Sequence, residues 1–271
     1  FWGVRVHDDI ALDDVFEYIN RLALFTGQWQ VKRGQKSADE HRAYLEANIE
    51  PVLDRLKVQA KAESLLIPKV VYGYFPCQSQ GNTLIVYDPE RYQNGETVEK
   101  TRFEFPRGGS KRLCISDYFA SVESGRMDVL GVQLVTVGHK ATEYAQTLFE
   151  AGNYTEYLYF HGFGVETAEA LAEYWHKRIR RELGIDGQDA QDIRKLFSQG
   201  YQGSRFSFGY PACPRLEDQT QLFELLNPGQ IDVQLSEEFM LEPEQSTSAI
   251  VIHHPEARYF DVRQTPQERV S

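Results

Sequence analysis

The chain holds 271 residues, 41% hydrophobic and 25% charged, with a formal net charge of −11. That length suits one large domain or two small ones around a substantial core, and its 16 Phe and 15 Tyr argue against disorder. The acidic balance disfavours nucleic acid and anionic membrane as partners, because both require clustered Lys and Arg, and favours a cationic or locally basic partner.

Ile10, Val15, Ile19 and Leu22 recur at helical spacing within residues 8–30, which predicts a helix ending near Gly27. Ser37-Ala38-Asp39-Glu40 has the form of a capping box and opens a helix to about Leu65. Its broad apolar face carries Tyr44, Leu45, Ile49, Val52, Leu53 and Leu56, and Pro51 should kink or interrupt it. Val70 to Phe75 and Thr83 to Tyr87 read as strands of a β-hairpin, joined by the turn-forming run Gln78 to Asn82. A strand over 101–105 is broken by Arg107-Gly108-Gly109-Ser110. The run Cys114 to Phe119 looks half-buried, and a long strand covers 128–137.

From Ala141 to Leu183 the pattern turns helical, with Leu171, Trp175 and Ile179 as an i, i+4, i+8 stripe. Within it the basic run Lys177 to Arg181 reads as a solvated helix face, a docking patch being the alternative. A short helix is expected within 188–201, another over 218–226 stopped by Asn227-Pro228-Gly229, and tail strands over 239–241, 249–252 and 258–262. Helices and strands are partly segregated rather than alternating. The expected fold class is therefore α+β with a mainly antiparallel sheet, without a convincing internal linker.

Cys77, Cys114 and Cys213 do not make a disulfide framework in a chain this size, and no pair has C-x-x-C spacing. A reducing cytoplasm fits that usage. There is no run of about 18 apolar residues and no recognisable signal peptide. The chain starts at Phe1 rather than Met, which suggests a segment of a longer polypeptide. Cys213 reads as a small packed residue, with a nucleophile as the alternative. The adjacent His253 and His254 would point to opposite faces of a strand, so one metal site cannot easily use both; His139 reads as an ordinary histidine. Arg107 to Ser110 lacks the spacing of a phosphate loop, and no G-x-G-x-x-G opens a helix after a strand. Glu169, Glu173 and His176 share a helix face; they are either solvated or supply a carboxylate that reaches a ligand. Of the pair Tyr259-Phe260, one ring is expected in the core and the other free to stack on a flat heterocycle.

The most informative stretch is Arg205 to Pro214, R-x-x-x-G-Y-P-A-C-P. Pro211 and Pro214 fix φ, Gly209 frees a backbone position, and Arg205 can grip a carboxylate in a two-pronged way. The bland alternative is an ordered loop with a surface arginine.

This decapeptide resembles the signature of the activation domain of cobalamin-dependent methionine synthase. The resemblance runs on through Tyr18 to Phe25, Gly27 to Gln30, Val71 to Pro76, Gly81-Asn82, Leu113 to Phe119, Val135 to Gly138, Ala168 to Arg178 and Tyr259-Phe260. It implies a single C-shaped domain over 1–271 with a twisted, mainly antiparallel sheet flanked by helices, and S-adenosylmethionine in a groove on its inner surface. By position, Arg205 would bind the ligand carboxylate, and the backbone around Phe206, Phe208 and Gly209 would contact adenine with Tyr210 nearby. Glu169, Tyr259 and Phe260 would lie beside the ligand. Asn20 falls where some members carry an aspartate facing the ligand ammonium, and here offers no charge; Phe260 replaces a frequent Tyr and loses a hydroxyl.

The implied function is the repair of oxidised cobalamin. The domain caps the cobalamin-binding module, an electron comes from flavodoxin or a similar reductase, and S-adenosylmethionine gives its methyl. No residue here must act as an acid or base, no metal is implied in this chain, and the isolated chain should not make methionine. The alternatives are a stand-alone S-adenosylmethionine-binding or sensing protein and a scaffold of the same fold that has lost its ligand.

Overall fold

The computed structural model describes residues 1–263. The strands are β1 Gly3–His7, β2 Lys69–Gln80, β3 Thr83–Tyr87, β4 Glu99–Glu104, β5 Asp128–Thr136, β6 Ser204–Phe206, β7 Gln234–Leu235, β8 Leu241–Glu242 and β9 Ser246–Ile252. The α-helices are α1 Leu12–Phe16, α2 Ala38–Tyr44, α3 Glu50–Ala62, α4 Pro89–Gln93, α5 His139–Glu150, α6 Tyr154–Glu182, α7 Ile193–Leu196 and α8 Gln219–Leu226. Seven strands form one antiparallel sheet in the order β4-β3-β2-β5-β9-β6, with β1 also joined to β2, while β7 and β8 pair separately. The first half of β2 pairs with β1 and the second half with β3. The expected α+β class with an antiparallel sheet is what the chain forms.

The central strands are buried on both faces, so alternate residues feed two cores. Val70, Tyr72, Tyr74, Val135 and Val251 face one layer, where the α6 stripe Leu171, Trp175 and Ile179 packs with residues of α1, α3 and α5. Val71, Phe75, Cys77, Leu130, Val132, Leu134, Ile250 and Ile252 face the other, against Leu222, Leu225 and Leu226 of α8. Each such apolar side chain contributes about 1.5–3 kcal/mol on burial.

Local chemistry explains where the elements start and stop. The Ser37 capping box is closed in both directions, Glu40 N–H to Ser37 Oγ at 3.2 Å and Ser37 N–H to Glu40 Oε2 at 2.7 Å. Pro51 does not break that helix. A wide π turn over Leu45–Ile49 precedes it, and Pro51 lies in the first turn of α3, where a missing N–H costs least. The helix expected over 8–30 is interrupted instead. Asn20 donates its backbone N–H to Glu166 at 3.1 Å, and its side chain accepts from Ala23 N–H at 3.2 Å, starting a new helical segment (Ala23–Gln28). The helical run from 141 is split by Gly152, which has φ 73°, into α5 and α6. Two further expectations shrink: the helix within 188–201 is only α7, and the strand expected over 239–241 is β8, of two residues.

Residues 258–262 do not form a strand. That segment is held by single bonds, Gly109 N–H to Val262 O at 3.0 Å and Val262 N–H to Pro211 O at 3.3 Å. The basic run on α6 is not a uniformly solvated face either. Arg181 is exposed, but Arg180 is fully buried, because position 180 follows Glu173 and His176 on the inward face.

Helix α6 is anchored at both ends. Near its start, Gly162 lets the chain approach so closely that a Cβ there would sit 2.8 Å from Gln28 Cβ and 3.0 Å from Trp29 Cδ1. Trp29 Nε1–H donates to Tyr159 O across the same contact at 2.9 Å. Near its end, Arg180 Nε donates to both oxygens of Asp189 at 3.1 and 3.0 Å, and its Nη2 donates to Asp189 Oδ2 at 2.8 Å. Its guanidinium also lies 3.7 Å from Glu173 and 4.1 Å above the Tyr201 ring centre.

Gly162→Ala should cost about 1–3 kcal/mol through overpacking, less the roughly 1 kcal/mol that alanine gains in a helix, measured by urea unfolding. Arg180→Met should cost about 3–5 kcal/mol in the same measurement, because it strands the buried Asp189 carboxylate and takes one of two cations from Glu173. Wild-type stability in Arg180→Met would show that the cluster does not hold α6.

Candidate functional site

The three residues of β6 pair with β9, Arg205 opposite Val251 and Phe206 opposite Ile250. Arg205 and Phe206 therefore begin a sheet edge, and the turn-rich part of the decapeptide starts only at Ser207. Alternation along the strand sends the two side chains apart. Phe206 is 1% exposed and belongs to the α8 core. Arg205 emerges on the α6 side, 3.3 Å from Glu173 and 3.9 Å from Glu169. Burial works against its charge, but Glu173 and then Glu169 more than offset this and hold the guanidinium above its ordinary range. Its Nη1 is buried and has no hydrogen-bond partner among the described residues.

These groups line a cleft of about 210 Å³ with Tyr18, Asn20, Ala23, Glu166 and Phe197. The structure thus brings together Asn20, Glu169 and Arg205, which lie far apart in sequence. Glu166, Glu169 and Glu173 occupy successive turns of one α6 face, so three carboxylates meet one arginine. Glu166 and Glu173 are buried, while the Glu169 side chain is 45% exposed. Burial pushes the Glu166 carboxyl up to about 7, with the charge of Glu169 adding and the Asn20 N–H opposing. Glu166 was missed in the sequence, although its i, i+3, i+7 spacing with Glu169 and Glu173 was a readable signal. A larger cleft of about 670 Å³ adjoins, sharing Asn20 and Phe197 and adding Arg21, Leu22, Ile193 and Arg194.

The floor of this region is polar. His176 is fully buried, its ring edge-on to Tyr201 with centres 5.0 Å apart, and neither ring nitrogen has a partner. Burial, then Arg180 and Arg205, lowers its pKa far enough to keep it neutral. The Tyr201 hydroxyl is pushed up to about 12 by burial and by Glu173.

The rest of the decapeptide is a self-bonded turn. Gly209 has φ 83°, and a Cβ there would meet Leu216 Cδ2 at 2.8 Å, so only glycine fits. Gly209 N–H donates to Cys213 O and Cys213 N–H to Tyr210 O, both at 3.0 Å. Phe208 is buried and stacks on Phe103 with ring centres 5.9 Å apart, so its side chain belongs to the core. Tyr210 is 57% exposed; burial and then the charge of Glu169 raise its pKa.

Tyr259 and Phe260 line a separate cleft of about 540 Å³ with Gly108, Lys111, Tyr118 and Arg258. Phe260 packs on the α8 core beside Phe206, while Tyr259 is 49% exposed and nearly parallel to Phe206. The nine sequence-predicted site residues therefore divide into a carboxylate–arginine cleft, a glycine turn with its flanking core rings, and this aromatic cleft.

The cysteines and histidines build no second site. Cys213 is buried, its thiol donates to Ser207 O at 2.9 Å, and burial pushes it up to about 12, so it packs rather than attacks. His253 meets Asp128 at 2.7 Å, whereas His254 faces the Tyr118 ring. No cluster of His, Cys, Asp or Glu that could hold a metal occurs among the described residues, and no helix there is long and apolar enough to cross a membrane.

Residues 11–271 match the family described as vitamin B12 dependent methionine synthase, activation domain. The chain is 42% identical over 276 residues to methionine synthase of Mycobacterium tuberculosis (strain ATCC 25618 / H37Rv), covering 97% of this chain and 23% of that protein. It is 41% identical over 278 residues to methionine synthase of Mycobacterium leprae (strain TN), with the same coverage of 97% and 23%. The chain thus spans about a quarter of the length of these relatives. In fold it is similar to the crystal structure of the MetH reactivation domain bound to AdoHcy, with a TM-score of 0.84, 24% identity, and coverage of 97% of this chain and 82% of that one. On the match over 11–271, carried by a sequence that folds into this antiparallel sheet with Arg205 on its edge, the chain belongs to the family of vitamin B12-dependent methionine synthase activation domains.

Proposed function

We propose that residues 1–271 act as one S-adenosylmethionine-binding module of a methionine synthase, which presents the ligand's methyl group to cobalamin carried by another module and so restores oxidised cobalamin to its working state. The observation that carries this reading is the cleft in which Arg205, with a buried unpartnered Nη1, stands beside carboxylates of α6. An α-amino acid headgroup carries the complementary pair of charges, so the residues present fit the ligand. The AdoHcy in the structural neighbour supports the same assignment.

In this reading Arg205 grips the carboxylate and Glu169 lies beside the ligand. The backbone between Phe206 and Gly209 meets the adenine, and the exposed rings of Tyr210 and Tyr259 shield the nucleoside from water, with Phe260 behind them. Asn20 closes the opposite wall without contributing charge. S-adenosylmethionine, when bound, supplies a methyl group on a sulfonium. This chain's contribution is to hold and aim it, a proximity and orientation role that requires no acid or base. The methyltransferase activity belongs to the whole synthase, with the electron delivered by flavodoxin or a similar reductase.

Isothermal titration of S-adenosylmethionine should show saturable binding to the wild-type chain. Arg205→Ala should bind more weakly by roughly 2–3 kcal/mol, the scale of a hydrogen bond to a charged group, with an unchanged circular dichroism spectrum. Equal affinities would sink the carboxylate assignment, and no binding by folded wild type would favour a scaffold that has lost its ligand.

A further inference from the structure

The charges in the cleft do not balance. Glu166, Glu169 and Glu173 face it, against Arg205. Glu173 is taken up by two cations, Arg205 at 3.3 Å and Arg180 at 3.7 Å. Glu169 is half-exposed and reaches Arg205 only at 3.9 Å. Among the described residues, Glu166 has no cation within ion-pair distance. It is 6% exposed, and one of its oxygens accepts the Asn20 N–H at 3.1 Å. Its other oxygen has no partner among the described residues, and the side chain lines the cleft. A buried carboxylate held in place by one bond and unpaired at its other oxygen is a ready acceptor for a cation.

Asn20 offers no charge for that role. Its side-chain oxygen is engaged with Ala23 N–H, and its backbone N–H is what orients Glu166.

We propose that Glu166 is the residue that seats the α-ammonium of the ligand, so that Arg205 and Glu166 together read the two charges of an amino-acid headgroup. This assignment rests on the ligand reading above and adds to it the residue that recognises the cation. The groups that face Glu166 are Glu169 and Glu173 on its own helix, Tyr18 and Asn20 from the segment after α1, Phe197 after α7, and Arg205 on β6. Of these only Arg205 is cationic, and the two glutamates already engage it.

The test uses the 271-residue chain and Glu166→Gln, which keeps an acceptor for the Asn20 N–H. Two ligands are titrated: S-adenosylmethionine, and 5′-methylthioadenosine, which lacks the amino-acid headgroup. The variant should bind S-adenosylmethionine about 10-fold more weakly and 5′-methylthioadenosine with wild-type affinity. Lowering the pH below about 7 protonates a carboxyl raised to about 7 and removes its attraction for an ammonium that is charged throughout that lower range. Wild-type affinity for S-adenosylmethionine should therefore fall between about pH 7 and about pH 5.5, with a smaller change in the variant. Equal S-adenosylmethionine affinity in the two proteins overturns the assignment to Glu166 alone. Equal weakening of both ligands shows that Glu166 shapes the cleft without recognising the ammonium. Failure of wild type to bind S-adenosylmethionine overturns the ligand reading as well.

Discussion

The site depends on where α6 is held. Glu166, Glu169 and Glu173 are useful only if their helix lies at one fixed distance and rotation from the edge strand that carries Arg205. Two different kinds of contact set that position. At one end a glycine removes the side chain that would keep α6 off Gln28 and Trp29. At the other, Arg180 ties the helix to Asp189 and, through its ring contact, to Tyr201. Between them the apolar stripe packs on the sheet, and Gln133 of β5 donates its Nε2–H to Ala172 O at 3.1 Å. Apolar packing supplies most of the stabilisation and the end contacts supply the register.

This arrangement carries an electrostatic cost. Buried charges are tolerated when they are paired, and Arg180 with Asp189 and Glu173 meets that condition. His176 meets it by staying neutral. Arg205 meets it through two carboxylates at 3.3 and 3.9 Å, with Nη1 unpartnered among the described residues. Among the described residues the network is incomplete on both sides: Arg180 Nη1 and Glu173 Oε1 are buried without a hydrogen-bond partner, as is Arg205 Nη1 beside the cleft.

Much of this was legible in the sequence, for identifiable reasons. The capping box at Ser37, the strands around Val70 and Thr83, and the stripe Leu171, Trp175, Ile179 are short-range patterns, and short-range physics decides them. The class of fold followed from the segregation of helices and strands. The interruption at Asn20 was hidden because its cause is a bond to Glu166, 146 residues away. The burial of Arg180 was hidden for the same reason, since its partner Asp189 lies beyond the helix end. The segment after β9 looked like a strand from its residues, but no neighbour offers it a ladder. Asn20, Glu169 and Arg205 were nameable only through a resemblance, and neither composition nor periodicity could have shown that they share one cleft.

The pairing of β6 with β9 also bears on folding fidelity. Arg205 and Phe206 are adjacent, and the pleat sends one to the cleft and the other to a dry core. A slip of β6 by one residue would exchange them, placing a guanidinium among Phe103, Phe208 and Ile250 and a phenyl ring among carboxylates. Both errors are expensive, so the misaligned sheet is excluded by the same two side chains that distinguish the aligned one. The arginine that gives the cleft its chemistry thus also acts as a check on assembly. A chain that has folded with that edge strand in the wrong place would have neither the cleft nor a stable core.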